Sequence, residues 1–410
     1  MPELTKTMKL HLRTNDEIDR LFSEFTERYA SACNFISNYV FENGFILNFM
    51  QLQEQLYQTV RSEYGLKAQM TISSFKTVTA RYKTVKEQLA KKPFCCRDET
   101  GKTWTSFRTL EWLQKPVQFF RPQADLVRNR DYSFLKDGSM LSINTLEKRV
   151  KVEFDVPECF KEYFDPDSGW TFGTGKLVRL KKEWYLHIPV TRIIEEEMDV
   201  FSPKHVVGID RGLRFIMTAY DEKGKTRFFS GKDVVRKRER FNRTRAELQS
   251  KGTKSAKRAL KRLSEKENRW MTDINHQLSK ALTDYYGPGT LFVMEDLEDV
   301  SFNDNNFHSR KQTNELRSWT FYQLEQFLTY KAQENGSMVI KVSPDYTSQR
   351  CPKCGRIHKE NRKHGRHEYV CDCCGYRSND DRIGAMNIYV LGTMYVSGNS
   401  SPKFGKRKAD

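Results

Sequence analysis

Three acidic residues stand at the ends of apolar runs, where they could hold a divalent metal ion. Asp210 ends the run VVGID, and Glu295 follows the run LFVM. Asp381 lies in SNDDRIGAMNIYVLG, whose small and apolar residues predict a helix that begins just after the acid. Acids at such positions also serve as helix caps or turn residues, so each one alone has a structural interpretation. The prediction of a metal site therefore depends on all three acids together.

The reaction that these carboxylates would support is phosphodiester hydrolysis. It uses two divalent cations about 4 Å apart, one to activate water and one to stabilise the leaving oxygen. Mg²⁺ takes carboxylate oxygens and keeps several waters, so a few converging acids suffice. Three acids on separate elements, near the edge of a mixed sheet, would meet this requirement.

A second constellation consists of cysteines with metal-ligand spacing. The pairs are Cys351-x-x-Cys354 and Cys371-x-x-Cys374, each followed by glycine. Two such pairs with a gap of about 15–20 residues are typical of a tetrahedral thiolate site for structural Zn²⁺. Four thiolates saturate the ion, so we do not expect a catalytic zinc. The segment either stabilises a small insertion or contacts nucleic acid.

The ligand set has alternatives within the same segment. Cys373 is an additional thiol that could replace a neighbour, although the register of the pair favours Cys374. His358, His364 and His367 lie between the two pairs and could also substitute.

The charge balance points to a polyanionic partner. The 410 residues include 70 Lys and Arg against 53 Asp and Glu, a net charge of +17, which favours binding to nucleic acid. Cations far outnumber acids over residues 236–266, and a helix with this bias can follow a phosphate backbone. A solvated helix face is the alternative interpretation.

Composition excludes several classes of protein. Aromatic residues make up 12% of the chain, which disordered proteins do not reach. The N-terminus shows no secretory apolar region, and no apolar stretch approaches the roughly 20 residues of a membrane span. Five of the nine cysteines cluster between residues 351 and 374 without a signal peptide, which indicates metal binding in a reducing compartment. We therefore expect a cytosolic protein.

The elements that must position these residues follow from local patterns. Residues 4–13 alternate as a strand, Asn15 offers a helix cap, and helical spacing continues to about residue 91. Short β-rich runs fill 133–195, and 193–204 is predicted to be a linker. The run around Asp210 predicts a three-strand meander, followed by one long charged helix, a strand before Glu295 and a helix over 318–333.

The motifs GIDRGLRF, FVMEDLEDV and KVSPDYTSQRCPKCG…CDCCGYRSNDDRIGAMNI together resemble the TnpB proteins of IS200/IS605-type transposons. They resemble equally the miniature type V-F CRISPR nucleases. The resemblance covers about residues 205–390. One position departs from the closing motif, since Ile383 stands where the family has Asn. Asp380 precedes Asp381, but the downstream Asn387 identifies Asp381 as the equivalent acid.

The resemblance implies a multidomain α/β protein. Its parts would be an RNase H-like RuvC nuclease domain with an inserted zinc ribbon, and an N-terminal wedge β-barrel interrupted by a helical recognition module. The expected boundaries are wedge 1–14 and 126–200, helical module 15–125, RuvC 201–345 and 378–396, zinc ribbon 346–377 and disordered tail 397–410.

The resemblance also implies RNA-guided cleavage of double-stranded DNA beside a short flanking motif, in the prokaryotic cytosol or nucleoid. Asp210, Glu295 and Asp381 would be the catalytic, Mg²⁺-binding acids, with Asp210 and Asp381 as ligands of both ions and Glu295 of one. The partners would be a structured guide RNA and target DNA. A nuclease-inactive guided repressor and an unguided RNase H-like resolvase or transposase are the alternatives, and both monomer and homodimer stay open.

Overall fold

The computed structural model describes residues 3–91, 93–135, 140–194, 198–212, 214–297, 321–363 and 365–405. The chain forms two compact α/β units, residues 1–194 and 195–410. The division falls within the predicted linker at 193–204. None of the helices in the described ranges combines the length and apolar character that crossing a membrane requires.

The described part of the first unit contains three α-helices, an antiparallel sheet and a separate hairpin. Its helices are α1 (Asp16–Glu42), α2 (Phe49–Tyr64) and α3 (Ala68–Ala90). Its strands are β1 (Glu3–Arg13), β2 (Phe94–Arg97), β3 (Thr103–Ser106), β4 (Gln123–Leu126), β5 (Tyr132–Phe134), β6 (Met140–Asn144), β7 (Arg149–Asp155), β8 (Thr171–Phe172), β9 (Gly175–Leu180) and β10 (Glu183–Ile193). The eight-stranded sheet has the order β4-β9-β10-β1-β7-β6-β5, with β8 beside β10, and β2 and β3 form the hairpin.

The strand predicted at the N-terminus is confirmed. Along β1 the apolar side chains are buried and alternate with more exposed ones, because successive residues point to opposite faces of the sheet. The predicted cap is also confirmed, since the Asn15 side chain accepts a hydrogen bond from the Ile18 amide at 2.9 Å. Helices α1 to α3 follow before the sheet resumes with β4 at Gln123, slightly ahead of the expected boundary at 126.

In its described residues, the second unit contains a mixed sheet, four α-helices and a small three-stranded sheet. Its helices are α4 (Lys232–Lys251), α5 (Lys254–Tyr286), α6 (Phe321–Glu334) and α7 (Asp380–Val396). Its strands are β11 (His205–Asp210), β12 (Phe215–Asp221), β13 (Thr226–Ser230), β14 (Thr290–Glu295), β15 (Met338–Val342), β16 (Arg362–Lys363), β17 (Glu368–Val370) and β18 (Arg377–Asn379). The mixed sheet has the order β13-β12-β11-β14-β15, which confirms the predicted meander, and β16 to β18 form the small sheet.

Helices cover both faces of the mixed sheet. On one face Ile209 and Phe292 pack with Leu282 of α5 and Leu328 of α6. On the other face the strands pack against Ile388 and other apolar residues of α7. Burial on both faces explains why β11 and β14 are nearly continuous apolar runs instead of alternating ones.

The prediction of a single charged helix after the meander is wrong, because the structure has two helices there. Gly252 ends α4 with a φ of +61°, a left-handed conformation that suits glycine, and Thr253 caps α5 by accepting a hydrogen bond from the Ala256 amide. The chain therefore forms a helical hairpin, which we call the basic hairpin (residues 232–286).

The C-terminal segment differs from the disordered tail predicted from 397. Pro402 and Phe404 are buried, and Phe404 belongs to the apolar cluster that includes Ile388. The Arg350 guanidinium lies 4.5 Å from the centre of the Phe404 ring. An aromatic anchor thus holds the segment in place, and residues 406–410 lie outside the described part.

Candidate metal centres

Two of the predicted acids end neighbouring parallel strands. β11 and β14 pair in register up to Ile209 and Met294, so Asp210 and Glu295 follow side by side at one sheet edge. The carboxyl ends of parallel strands commonly carry the functional groups of α/β proteins. Both residues keep part of their surface exposed to solvent.

The third acid reaches this edge on the first turn of α7. The helix packs very closely on β11, since a Cβ at Gly208 would lie 2.3 Å from the Ala385 carbonyl oxygen. A Cβ at Gly384 would lie 2.8 Å from Asp210 Oδ2, so the absence of a side chain there makes room for the carboxylate. Asp381 lies one turn before Gly384, so the close packing brings it to Asp210. The prediction that the helix begins just after the acid is slightly off, because Asp381 lies inside it.

The charges of Glu295 and Asp381 both act on Asp210. Burial raises the pKa of Asp210 well above its usual value, and the charges of Glu295 and Asp381 raise it further. Burial likewise raises the pKa of Glu295, while a hydrogen bond from Thr347 opposes the shift. The pKa of Asp381 is raised by burial and by Asp380.

The acid cluster fits a divalent cation. The Oδ2 atom of Asp381 is buried, and it has no hydrogen-bond partner among the described residues. Carboxylates that oppose each other's ionisation, together with an unsatisfied oxygen, form an oxygen donor set of the kind that Mg²⁺ takes. Asp210 and Glu295 thus lie at one sheet edge, where the charge of Asp381 also acts on Asp210.

Arg362 is a member of the cluster that the sequence patterns did not indicate. Its Nη2 lies 3.7 Å from Asp381 Oδ1, and its Nε donates to Asp380 Oδ2 at 3.2 Å. It comes from β16, between the two cysteine pairs. Its charge lowers the pKa of all three acids, although in each case burial outweighs it.

Arg211 is a second residue that local patterns did not identify. Its side chain is almost fully buried and donates from Nη2 to the Glu295 carbonyl oxygen at 2.6 Å. Nη1 donates to Glu325 Oε2 on α6 at 3.0 Å. Arg211 thus connects the end of β11 to the end of β14, which keeps the two strand-end acids adjacent.

The four predicted cysteines meet in space. The Sγ atoms of Cys351, Cys354, Cys371 and Cys374 lie within 4.8 Å of one another. Two of the separations are 3.6 Å (Cys351 to Cys374) and 3.5 Å (Cys354 to Cys371). A tetrahedral Zn²⁺ with Zn–S distances of about 2.3 Å places its sulfurs about 3.8 Å apart. The cluster therefore fits a tetrahedral thiolate-bound metal.

The alternative ligands that the structure describes are not part of the group of four. Cys373 is exposed and outside the group of four. His358 and His367 face the carboxylates of Asp372 and Asp380, at 3.3 Å and 3.8 Å. His364 lies outside the described residues.

Ile383, the residue that departs from the family motif, packs against the cysteine cluster. It is fully buried with Cys351, Tyr369 and Cys371. An apolar side chain at this position therefore adds to the contact between α7 and the cysteine segment.

The basic hairpin presents most of its cations to solvent. Arg238, which is buried, and Arg245 instead pair with Glu267 and hold α4 against α5. The exposed cations along the two helices include Arg236, Lys237, Arg240, Arg243, Lys251, Lys254, Lys257, Arg258, Lys261, Arg262 and Lys266. This surface has the charge that a phosphate backbone requires.

Comparison with known protein families gives two matches, which lie between residues 187 and 388. A family described as "Probable transposase" matches residues 187–298, and one described as "Cas12f1-like, TNB domain" matches residues 321–388. Together they include the strands that carry Asp210 and Glu295, the cysteine segment and the start of α7.

Several known proteins are similar in sequence. The CRISPR-associated endodeoxyribonuclease Cas12f1 of Sulfoacidibacillus thermotolerans is 30% identical over 369 residues, 84% of this chain and 82% of the relative. Cas12f1 of Syntrophomonas palmitatica is 28% identical over 57% of this chain, which spans about half (48%) of that relative. A TnpB-like protein of Methanocaldococcus jannaschii is 25% identical over 62% of this chain and 92% of its own.

A solved structure supports the same fold. The cryo-EM structure of a Cas12f1–sgRNA–target DNA complex aligns with a TM-score of 0.59, covering 92% of this chain and 83% of that one. Its sequence identity is 16%, so this likeness concerns the fold alone.

Proposed function

Because the chain belongs to the family of TnpB and Cas12f1 proteins, we propose that it is an RNA-guided endonuclease that cleaves double-stranded DNA next to a short flanking motif. The observation that supports this proposal is that Asp210 and Glu295 end neighbouring parallel strands and that the charge of Asp381 acts on Asp210. Guide pairing would supply sequence recognition, as in other RNA-guided nucleases. The protein would act in the prokaryotic cytosol.

The three acids would hold Mg²⁺ through their carboxylate oxygens. When bound, a pair of these ions activates water and stabilises the leaving oxygen of the phosphodiester. Arg362 would lie beside the same centre, where its guanidinium compensates part of the negative charge of Asp380 and Asp381. The mixed sheet and its helices correspond to a RuvC nuclease domain, and the sheet of the first unit to a wedge domain, in this proposal.

The cysteine cluster would hold Zn²⁺ in a structural role. Its four thiolates leave no ligand position for substrate, and its segment carries Arg362 to the acids. The zinc ribbon of this proposal thereby supports the nuclease centre.

The basic hairpin would contact the phosphate backbone of guide or target. Its exposed cations outnumber its exposed acids, and phosphate contacts fix position without reading sequence.

The proposal is tested by purifying the full chain with its native RNA and sequencing that RNA. A discrete RNA species is expected, and plasmids carrying the matching target should be cut in Mg²⁺. A protein without discrete RNA that cuts any DNA would indicate an unguided nuclease, and guided binding without cleavage would indicate a repressor.

A further inference from the structure

Beyond the acids themselves, we infer that Thr347 is a positioning residue for Glu295, and that Asn387 holds Thr347 in place. This inference rests on the proposed function, because it concerns how one of the proposed metal ligands is oriented. The residues join the nuclease centre to the chain just before the cysteine cluster.

Thr347 contacts Glu295 directly. Its Oγ1 donates to Glu295 Oε1 at 2.5 Å, and it also lies 2.9 Å from the Pro344 carbonyl oxygen. The hydroxyl has one hydrogen, and a carboxylate is the stronger acceptor because hydrogen bonds to charged groups are stronger than neutral ones. Thr347 is 2% exposed, so water does not readily replace this bond.

The bond restricts how Glu295 can present itself to a cation. The hydroxyl holds Oε1 on the Thr347 side, which leaves Oε2 as the oxygen that can turn toward a cation. Hydrogen bonds from neighbours orient metal ligands in this way in many metal sites.

Asn387 fixes the turn that carries Thr347. Its Nδ2 donates to the carbonyl oxygens of Thr347 and Arg350, both at 2.8 Å, and its Oδ1 accepts from Arg350 Nη1 at 3.1 Å. Asn387 is fully buried on α7, the helix that carries Asp381. One helix therefore supplies a proposed metal ligand and also pins the turn that orients another.

The connection continues to the cysteine cluster. Arg350 immediately precedes Cys351, whose thiol is part of the group of four. A displacement of the first cysteine pair would move the backbone that Asn387 holds, and with it the hydroxyl on Glu295. The hydrogen bonds of Asn387 and Thr347 thus connect the backbone at the cysteine cluster to the carboxylate of Glu295.

The test compares Thr347→Val, which removes the hydroxyl and keeps the shape, with Thr347→Ser, which keeps the hydroxyl. The matched control is Thr290→Val, because Thr290 is a buried threonine at the other end of β14 whose hydroxyl bonds a backbone carbonyl. Each variant is prepared as the full chain with guide RNA. Three quantities are measured: the single-turnover cleavage rate in Mg²⁺, Mn²⁺ affinity by EPR, and the affinity for guided target DNA.

We expect Thr347→Val to lower both the cleavage rate and the Mn²⁺ affinity by about 10- to 100-fold, the usual cost of losing a partner of a metal ligand. Guided DNA binding should stay within about twofold, and Thr347→Ser should recover most of the loss. Wild-type Mn²⁺ affinity in Thr347→Val, or an equal loss in Thr290→Val, would overturn the inference. If the wild-type complex does not cut, the proposed function fails, while the Mn²⁺ measurement still decides the role of Thr347.

Discussion

The surroundings of Asp210 disfavour its ionised form. Burial raises its pKa first, and Glu295 and Asp381 raise it further. The same group in the unfolded chain ionises at about pH 3.9, so the folded protein binds this proton more tightly. Its contribution to stability is therefore full at low pH and is lost as the pH rises toward the raised pKa. A bound divalent cation would compensate the charge.

The Asp210→Asn variant tests whether the charge of Asp210 destabilises the metal-free fold and whether it is needed for cleavage. The cleavage rate of the variant should fall by at least about 1,000-fold, because the bound metal no longer lowers the activation barrier by several kcal/mol. Guided DNA binding should remain. In EDTA at pH 8 its Tm should exceed that of the wild type, and the difference should narrow as the pH is lowered. Plasmid cleavage and thermal melting provide the measurements. A variant that still cuts, or that melts below the wild type at every pH, would contradict the assignment.

Arg362 is expected to matter for stability as well as for the site. Asp380 is 1% exposed and accepts from Arg362 Nε. Arg362→Met would therefore remove the guanidinium beside a buried carboxylate and leave it with the Asp381 amide at 3.1 Å and the more distant His367. We expect a loss of about 3 kcal/mol in the free energy of unfolding, measured by denaturant titration.

The control for this loss is Arg366→Met, which changes an exposed arginine of the same segment and should cost less than about 0.5 kcal/mol. Adding Asp380→Asn to Arg362→Met should restore part of the loss, because the unpaired charge is removed. Equal stability of Arg362→Met and wild type would show that the pair does not stabilise the fold.

At the residue scale, the sequence revealed the groups whose type and spacing are informative on their own. The acids end apolar runs, and the cysteines form pairs at metal-ligand spacing. Arg362, Thr347 and Arg211 carry no such local signal, since their partners are distant in sequence and meet only through packing. Folding of the chain brings these three residues into contact with the proposed metal-binding acids or their backbone.

At the element scale, strands were predicted where hydrophobic periodicity changes clearly, as at residues 4–13 and around Asp210. The continuous charge over 236–266 concealed the break between α4 and α5, although the Gly252-Thr253 pair has the chemistry of a helix end followed by a cap. Phe404 was missed because its neighbours are small and polar, so composition alone suggested disorder.

The cysteine segment is an element whose order should depend on its metal. Cys351→Ser removes one of four grouped thiolates and should release bound zinc, measured by elemental analysis, together with a lower Tm of the full chain. Cys373→Ser is the matched control, since this exposed thiol lies outside the group and its loss should leave zinc content unchanged. Equal zinc in wild type and Cys351→Ser would eliminate the proposed zinc site.

At the scale of the whole molecule, the net charge of +17 indicates a polyanionic partner but not where it binds. The fold supplies the location, because the basic hairpin collects exposed cations on two adjacent helices. Lys254, Lys257 and Lys261 are exposed and follow helical spacing along α5. They are therefore suited to contact successive phosphates.

Replacing these three lysines with glutamine should weaken nucleic-acid binding at all sequences alike. The slope of log K against log salt should become shallower by about 0.9 for each lysine that contacts a duplex phosphate. Cleavage by the saturated complex should stay unchanged, because the hairpin lysines do not belong to the acid cluster. The matched control replaces the same lysines with arginine, which keeps the charge and should keep the slope. An unchanged slope in the glutamine variant, measured by binding titrations across salt concentrations, would show that this surface does not meet the phosphate backbone.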